Sequence, residues 1–182
     1  MLAPETAWER LLPYLHPLPP QAVERRRAAG RVLAADLVAT SDLPPLDLSA
    51  LDGFALADDG SPGCWYPVAG TRLAGDPVGT PLGSGQAMRI MTGSAVPAGA
   101  DRVVGVEDTE CDGERMRTTA AVAVGAAIRR RGEVVRRGAP LLPQGTLLTP
   151  AALALLASHG TGEVVLHRPP RPALQLTGTE LL

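Results

Sequence analysis

Glycine and proline most strongly limit what this chain can fold into. The 182 residues include 20 glycines and 18 prolines, spread along the whole sequence. Glycine favours turns and proline interrupts helices and inner strands, so secondary structure elements should be short. A helical bundle is therefore not expected. With 45% hydrophobic residues, a chain of this length is long enough for one or two small domains with real cores.

Several classes of function are disfavoured by residues that are missing or scarce. The sequence has no lysine and no asparagine, and aromatic residues make up only 3%. Schiff-base chemistry, a P-loop and a base-stacking surface for nucleic acid are therefore not expected. The two cysteines, Cys64 and Cys111, form no CxxC unit, which favours a reduced, cytoplasmic setting. We expect no membrane partner either, since no stretch approaches the ~20 apolar residues of a spanning helix.

Charge divides the chain into three parts. Residues 1–35 carry five arginines and three acids, residues 36–125 five arginines and thirteen acids, and residues 126–182 seven arginines and three acids. An acidic middle segment between two basic flanks indicates an inserted domain, with the flanks pairing as a second domain. A chance distribution of surface charge would produce the same totals.

The flanks combine helix and strand patterns. Residues 1–15 predict a short amphipathic helix, and residues 21–38 predict a strand followed by a helix around 28–34. The clearest helix lies in GTLLTPAALALLASHGTG, where Thr149 is a candidate N-cap, Pro150 takes the first helical position and Gly160 is a stop. EVVLHR then predicts a strand, and ALQLTG another.

The middle segment has the pattern of a β domain. From about residue 41 to 124, short apolar runs alternate with glycine and proline, as in a small antiparallel barrel or sandwich. The predicted strands are YPVAG, QAMRIM, DRVVGVE, ERMRTT and AVAVG.

Three stretches carry residues suited to chemistry, and the first is DLPPLDLSALDGFA at residues 42–55. Asp47, Ser49 and Asp52 lie close together on a presumed loop, where paired carboxylates could hold Mg²⁺ or shift each other's protonation. The same residues are equally typical of simple turn caps. A hydrolase that uses Asp47 and Asp52 as acid and base is a further alternative.

The other two stretches suit anions. In MRIMTGSAVPAGAD, residues 88–101, a strand ends at Thr92 in a turn with free backbone amides. In IRRRGEVVRRG, residues 128–138, five arginines surround Glu133. Guanidinium groups bind phosphate and other oxyanions in a bidentate manner. The alternatives are a solvated basic edge paired with the acidic segment, and nucleic acid, which the net charge of −2 disfavours.

Taken in this order, the three stretches closely resemble the molybdopterin molybdenumtransferases of the MoeA and gephyrin E-domain family. The resemblance covers nearly the whole chain. It implies the last step of molybdenum cofactor synthesis, in which molybdate enters adenylylated molybdopterin, AMP is released and Mg²⁺ assists. It also implies a mixed, β-rich fold: an elongated α/β domain from residues 1–37 and 126–170, with a small antiparallel β-barrel-like domain inserted at 38–125.

The resemblance assigns functional residues by matching motifs. Asp52 matches the aspartate of the family's DNSAMDGYA motif, Thr92 the threonine of IMTGA, and Glu133 the glutamate of RRRGED. These three are the expected catalytic residues, with Asp52 and Glu133 as ligands of Mg²⁺. In the family they line one wall of a cleft between subunits, which implies a homodimer. The residues expected to bind molybdate and the pyrophosphate bridge of the adenylylated cofactor are Ser49, Arg129, Arg130 and Arg131.

The sequence departs from the family pattern at two motif positions. Leu48 replaces an asparagine in the first motif, and Thr179 replaces an aspartate near the end. The family's molybdopterin-binding domain should begin at about residue 171 and continue beyond Leu182. We therefore expect this chain alone to be inactive, either as a fragment of the transferase or as a naturally short relative. In the second case it would be a non-catalytic dimerisation or scaffold module of cofactor assembly.

Overall fold

A computed structural model describes residues 3–58 and 60–175. The chain divides into two compact units, the first from Met1–Val38 and Pro140–Leu182 and the second from Ala39–Ala139. The second unit ends later than the boundary expected at residue 125. Residues 126–139 belong to it because Ile128–Arg129 pairs with Leu48–Ser49.

The elements are short. Within the described residues the helices are α1 (Pro4–Leu11) and α2 (Pro150–Ser158), and neither is long and apolar enough to cross a membrane. The strands, in chain order, are β1 (Pro20–Glu24), β2 (Leu37–Val38), β3 (Leu48–Ser49), β4 (Gly53–Leu56), β5 (Trp65–Arg72), β6 (Ala87–Ile90), β7 (Arg102–Gly105), β8 (Thr109–Cys111), β9 (Arg115–Thr118), β10 (Ile128–Arg129), β11 (Pro140–Leu142) and β12 (Glu163–His167).

The first unit is built from two small antiparallel pairs, β1 with β12 and β2 with β11. The predicted helix at the end of the chain is confirmed as α2: the Thr149 hydroxyl oxygen accepts a hydrogen bond from the Ala152 amide at 3.3 Å, and Gly160 has a φ of +67°. Leu156 of α2 is completely buried in this unit's core, with Leu33, Leu148 and other apolar residues.

The helix predicted around residues 28–34 is wrong. A short 3-10 turn at Arg25–Arg27 is followed by Gly30 at a φ of +70° and by isolated bridges from Val32 to Leu147 and from Leu33 to Leu166. The left-handed glycine prevents the helix from continuing. Residues 176–178 of the strand predicted in ALQLTG lie outside the described residues, as does the motif position Thr179.

The second unit contains a six-stranded sheet that curls into a half-barrel, which confirms the β-rich mixed fold. The strand order is β7-β4-β6-β5-β9-β8. All its pairings are antiparallel except that of β5 with β6, which is parallel. Four of the predicted strands are present as β5, β6, β7 and β9. The AVAVG strand is wrong, since these residues form loop and turn, with Gly125 at a φ of +82°.

Strand β4 lies inside the sheet and leads directly out of the first functional stretch. Its residues are buried on both faces: Phe54 and Leu56 pack with Tyr66 and Met116, while Ala55 packs with a second cluster. Gly53 begins the strand opposite β7. A Cβ atom on Gly53 would lie 1.8 Å from the Val104 carbonyl oxygen, so no larger residue fits without moving a strand.

Candidate functional site

The loop at residues 47–52 connects the three stretches that the sequence marks as functional. β3 pairs with β10, so the loop lies beside the start of the arginine stretch. The Ser49 amide donates to the Ser94 carbonyl at 2.9 Å, and the Gly93 amide donates to the Ser49 carbonyl at 2.9 Å. All three stretches therefore meet at this loop in the second unit.

Asp52 and Thr92 form the first cluster, the Asp52–Thr92 pair. Asp52 Oδ1 accepts hydrogen bonds from the Thr92 amide and from the Thr92 hydroxyl, both at 2.7 Å. These bonds join residues that lie 40 positions apart. The Thr92 amide and hydroxyl, with a further contribution from the Arg89 charge, lower the pKa of the Asp52 carboxyl. Asp52 is therefore ionised at neutral pH, which suits an electrostatic or binding role better than that of a general acid.

A second group, the carboxylate–arginine cluster, consists of Asp42, Asp47, Glu133, Arg129, Arg130 and Arg131. Glu133 accepts from Arg129 Nε and from the Arg130 amide, each at 2.8 Å. The Glu133 carboxylate therefore bonds to residues three and four positions earlier in its own loop. The Arg129 side chain and the Arg130 amide, in that order, lower the pKa of the Glu133 carboxyl.

The aspartates of the carboxylate–arginine cluster bind the same loop from outside. Asp47 accepts from the Arg131 amide at 2.7 Å and from Arg130 Nη1 at 2.8 Å. Asp42 accepts from the Arg137 amide at 2.8 Å and pairs with Arg131 Nε. The hydrogen bond from the arginine backbone amide is the largest cause of the lowered carboxyl pKa in each case, from Arg137 for Asp42 and from Arg131 for Asp47. Each carboxylate thus fastens the arginine stretch to the segment that precedes β3.

The three arginines predicted to bind anions are all paired with carboxylates. Arg129 pairs with Glu133, Arg130 with Asp47 and Arg131 with Asp42, and every one of these arginine side chains is at least half exposed. This is the arrangement expected of a basic edge neutralised by nearby acids. Exposed ion pairs contribute little stability, so a more highly charged oxyanion could exchange with a carboxylate at little cost.

Asp52 and Glu133, the expected Mg²⁺ ligands, belong to different clusters. Both oxygens of Glu133 already accept hydrogen bonds. Among the described residues, no group of three or more metal-ligating side chains comes together. Mg²⁺ requires near-octahedral oxygen ligands from carboxylates, water or substrate phosphates. The residues present do not fit a resident Mg²⁺ ion held by this pair.

Two further predicted residues have structural contacts of their own. Ser49 is buried, and its hydroxyl donates to the Leu51 carbonyl at 2.6 Å, so it offers no free group to a ligand. Thr92 lies in a turn expected to suit an anion, and its hydroxyl donates to Asp52.

Sequence reasoning overlooked Arg89, whose charge acts on Asp52. Within β6, Arg89 is exposed between the buried residues Met88 and Ile90. That alternation was the available signal, because it places an arginine on the outer face immediately before the Thr92 turn.

Comparison with known proteins places the chain in a family. A family model described as the MoeA N-terminal region (domain I and II) matches residues 2–160. The chain therefore belongs to the MoeA N-terminal region family.

Relatives and solved structures agree with this assignment. A molybdopterin molybdenumtransferase of Synechococcus elongatus is 40% identical over 90% of this chain and 43% of its own length. One of Haemophilus influenzae is 36% identical over the whole chain and 46% of its own length. A crystal structure of the molybdopterin biosynthesis MoeA protein from Pyrococcus horikoshii superimposes with a TM-score of 0.82 at 30% identity, covering 89% of this chain and 45% of that protein. The chain spans less than half the length of each of these relatives.

Proposed function

We propose that this chain acts in molybdenum cofactor biosynthesis as the N-terminal part of a molybdopterin molybdenumtransferase. The reaction inserts molybdate into adenylylated molybdopterin and releases AMP. The chain supplies one wall of a site that a second subunit completes in a homodimer. By itself it is inactive, because the proposed pterin-binding surface belongs to another part of the full-length enzyme.

The observation that carries the proposal is the meeting of the three stretches at the loop 47–52. Asp52 is ionised and held rigidly by Thr92, so its position on the wall is defined before substrate arrives. Preorganised charges of this kind contribute more to a reaction than groups that must reorient. The second oxygen of Asp52 remains available to orient a polar group of the substrate.

The arginines provide the complementary charge. Molybdate and the pyrophosphate bridge are anions, and Arg89 lies close enough to lower the pKa of Asp52. Arg130 and Arg131 are anchored through their amides by Glu133 and Asp47. Their backbones stay in place when a phosphate oxygen replaces a carboxylate at the guanidinium group. Bidentate guanidinium–phosphate contacts then orient the substrate.

A substitution series in a complete cofactor-forming system tests this proposal. Asp52→Ala and Glu133→Ala are expected to reduce cofactor formation by about tenfold or more, the effect of losing one positioned charged contact. Asp112→Asn is a matched control. Asp112 is also an exposed aspartate with a lowered pKa that accepts backbone amides, but it lies in the β8–β9 hairpin. Unchanged cofactor formation with Asp52→Ala and Glu133→Ala would refute the assignment.

Calorimetry tests the composite site separately. Adenylylated molybdopterin is titrated into this chain alone and into a full-length transferase of the family. Saturable binding is expected only with the full-length enzyme. Equal affinity for this chain alone would contradict a site completed by other parts of the enzyme.

A second candidate, a non-catalytic dimerisation or scaffold module, is favoured by the apolar surface near the N-terminus. The exposed side chains are Trp8, Leu11, Leu12, Tyr14 and Leu15. Large exposed apolar groups in one short segment mark protein contacts. If Leu11→Asp abolished cofactor formation while the Asp52 and Glu133 substitutions did not, the scaffold function would replace the catalytic one.

A further inference from the structure

Arg72 is a buried cation without a partner. It ends β5 and is only 6% exposed, and its guanidinium group makes no hydrogen bond or ion pair with any residue in the described ranges. Its Nη1 atom is completely enclosed. The carbonyl of the same residue accepts hydrogen bonds from the Ser94 hydroxyl at 3.1 Å and the Met91 amide at 3.2 Å. Arg72 therefore lies directly behind the turn that carries Thr92.

Arg102 shows how the same unit satisfies a buried arginine. It is also 6% exposed, but its Nε and Nη2 atoms donate to both oxygens of Asp101 at 2.7 and 3.0 Å, and its Nη1 donates to the Val122 carbonyl at 2.7 Å. Buried charges in proteins are normally paired in this way, because an unpaired one carries a large desolvation penalty. The missing partner of Arg72 is therefore an exception that requires an explanation.

The loop at residues 73–82 lies against the Arg72 guanidinium group. A Cβ atom on Gly79 would be 2.7 Å from Arg72 Nη2, so the absence of a side chain at Gly79 leaves the group room. The amides of Val78, Gly79 and Thr80 donate no hydrogen bond to any described residue. The acid of this loop, Asp76, accepts instead from the Leu73 amide at 2.7 Å. These amides lie in an exposed loop, so they are open to an acceptor from solution.

We propose that Arg72 and the amides of residues 78–80 form a binding site for a small tetrahedral oxyanion. A guanidinium group and successive backbone amides are the donors that hold phosphate-like anions in proteins. The exposed loop shifts to admit the anion, whose oxygens pair with the enclosed Nη1 and relieve the cost of the buried charge. This site does not depend on the proposed transferase function, since Arg72 belongs to neither the Asp52–Thr92 pair nor the carboxylate–arginine cluster.

Anion titrations of the whole chain test the site. Molybdate, phosphate and sulfate are each titrated in calorimetric and thermal-unfolding experiments, with sodium chloride at matched ionic strength as the reference. A saturable rise in the unfolding temperature of the wild-type chain is expected. Comparable affinity for all three anions identifies a general oxyanion site, whereas strong preference for molybdate identifies a site for that anion.

Arg72→Met removes the charge and keeps a long apolar side chain. We expect it to weaken oxyanion binding by about tenfold or more, as loss of a hydrogen bond to a charged group predicts. Arg115→Gln, which removes an exposed arginine from β9, is the control and should leave the affinity unchanged. No saturable response in the wild-type chain, or the same affinity in Arg72→Met, would overturn the proposal.

Gly79→Asp provides a second variant in case Arg72→Met does not fold. Gly79 has no left-handed φ, and the Cβ would meet only the guanidinium group of Arg72. The new carboxylate should pair with Arg72, raise the unfolding temperature without added anion, and abolish the oxyanion response. A Gly79→Asp chain that still responds to oxyanions as the wild type does would also overturn the proposal.

Discussion

Gly53→Ala tests whether close strand contact holds the functional loop in place. The added Cβ would lie 1.8 Å from the Val104 carbonyl oxygen and 2.8 Å from the Val104 carbonyl carbon. An ordinary contact needs at least about 3.4 Å, so β4 and β7 must separate by more than about 1 Å, a large fraction of the ~4.8 Å between neighbouring strands. Overpacking costs about 1–3 kcal/mol, and two weakened sheet hydrogen bonds cost about 0.5–1.5 kcal/mol each. We therefore expect the free energy of unfolding of the second unit to fall by about 2–6 kcal/mol.

Tryptophan fluorescence during urea unfolding measures the loss of stability in the second structural unit, which contains Gly53. Trp8 lies in the first unit and Trp65 in the second, so Trp8→Phe leaves a signal from the second unit alone. The urea midpoint of Gly53→Ala should fall by about 1 M or more. Gly83→Ala is the control in the same unit, because Gly83 has no left-handed φ and a Cβ there would meet only the Gln86 side chain. A Gly53→Ala midpoint equal to that of the parent chain would refute the reasoning.

Four further predictions concern charge, capping and packing. Thr92→Val removes the hydroxyl donor, so the pKa of Asp52 should rise toward its usual value in a carboxyl NMR titration. Thr92→Ser keeps the donor and should keep that pKa low. An unchanged pKa of Asp52 in Thr92→Val would contradict the assigned hydrogen bond. The lowered pKa values of the carboxylate–arginine cluster stabilise the second unit above the unfolded pKa of about 4, and this stability is lost as the pH falls through the folded pKa values. The urea midpoint followed by Trp65 fluorescence should therefore be nearly constant from pH 8 to 5 and should decrease when the pH is below 4. A midpoint that stays constant down to pH 3 would contradict this prediction. Thr149→Ala should destabilise the first unit by about 0.5–2 kcal/mol through loss of the α2 cap, with recovery in Thr149→Ser. Leu156→Ala should cost about 2–5 kcal/mol in the same unit, and a smaller loss than that of Thr149→Ala would contradict its place in the core.

Local signals predicted the elements that local interactions build. The cap, proline and glycine stop of α2 lie within a few residues of one another, so sequence alone was sufficient for that helix. Strands β5, β6, β7 and β9 were predicted from short apolar runs that glycine, proline or polar residues separate. Strand β4, although as buried as β7, was missed because its residues follow the Asp47–Asp52 motif directly and were assigned to the same loop.

The candidate site was predictable in its residue types but not in its pairing. Motif matching selected Asp52, Thr92 and Glu133, and the structure places Asp52 beside Thr92. Motif matching could not show that the Glu133 carboxylate accepts a hydrogen bond from within its own loop. The arginines were expected to be free for anions, whereas each bonds a carboxylate, two of them more than 80 residues away.

The sequence by itself determined that this chain has short elements, a β-rich fold, a capped helix near its end and three stretches that carry the candidate functional residues. These properties depend on backbone preference, hydrophobic spacing and side-chain type, which act over a few residues. Only the tertiary structure decided which charges neutralise each other, that β4 is enclosed, and that Arg72 is buried without a partner among the described residues. Such outcomes depend on contacts between residues tens of positions apart, and on the water removed when those contacts form.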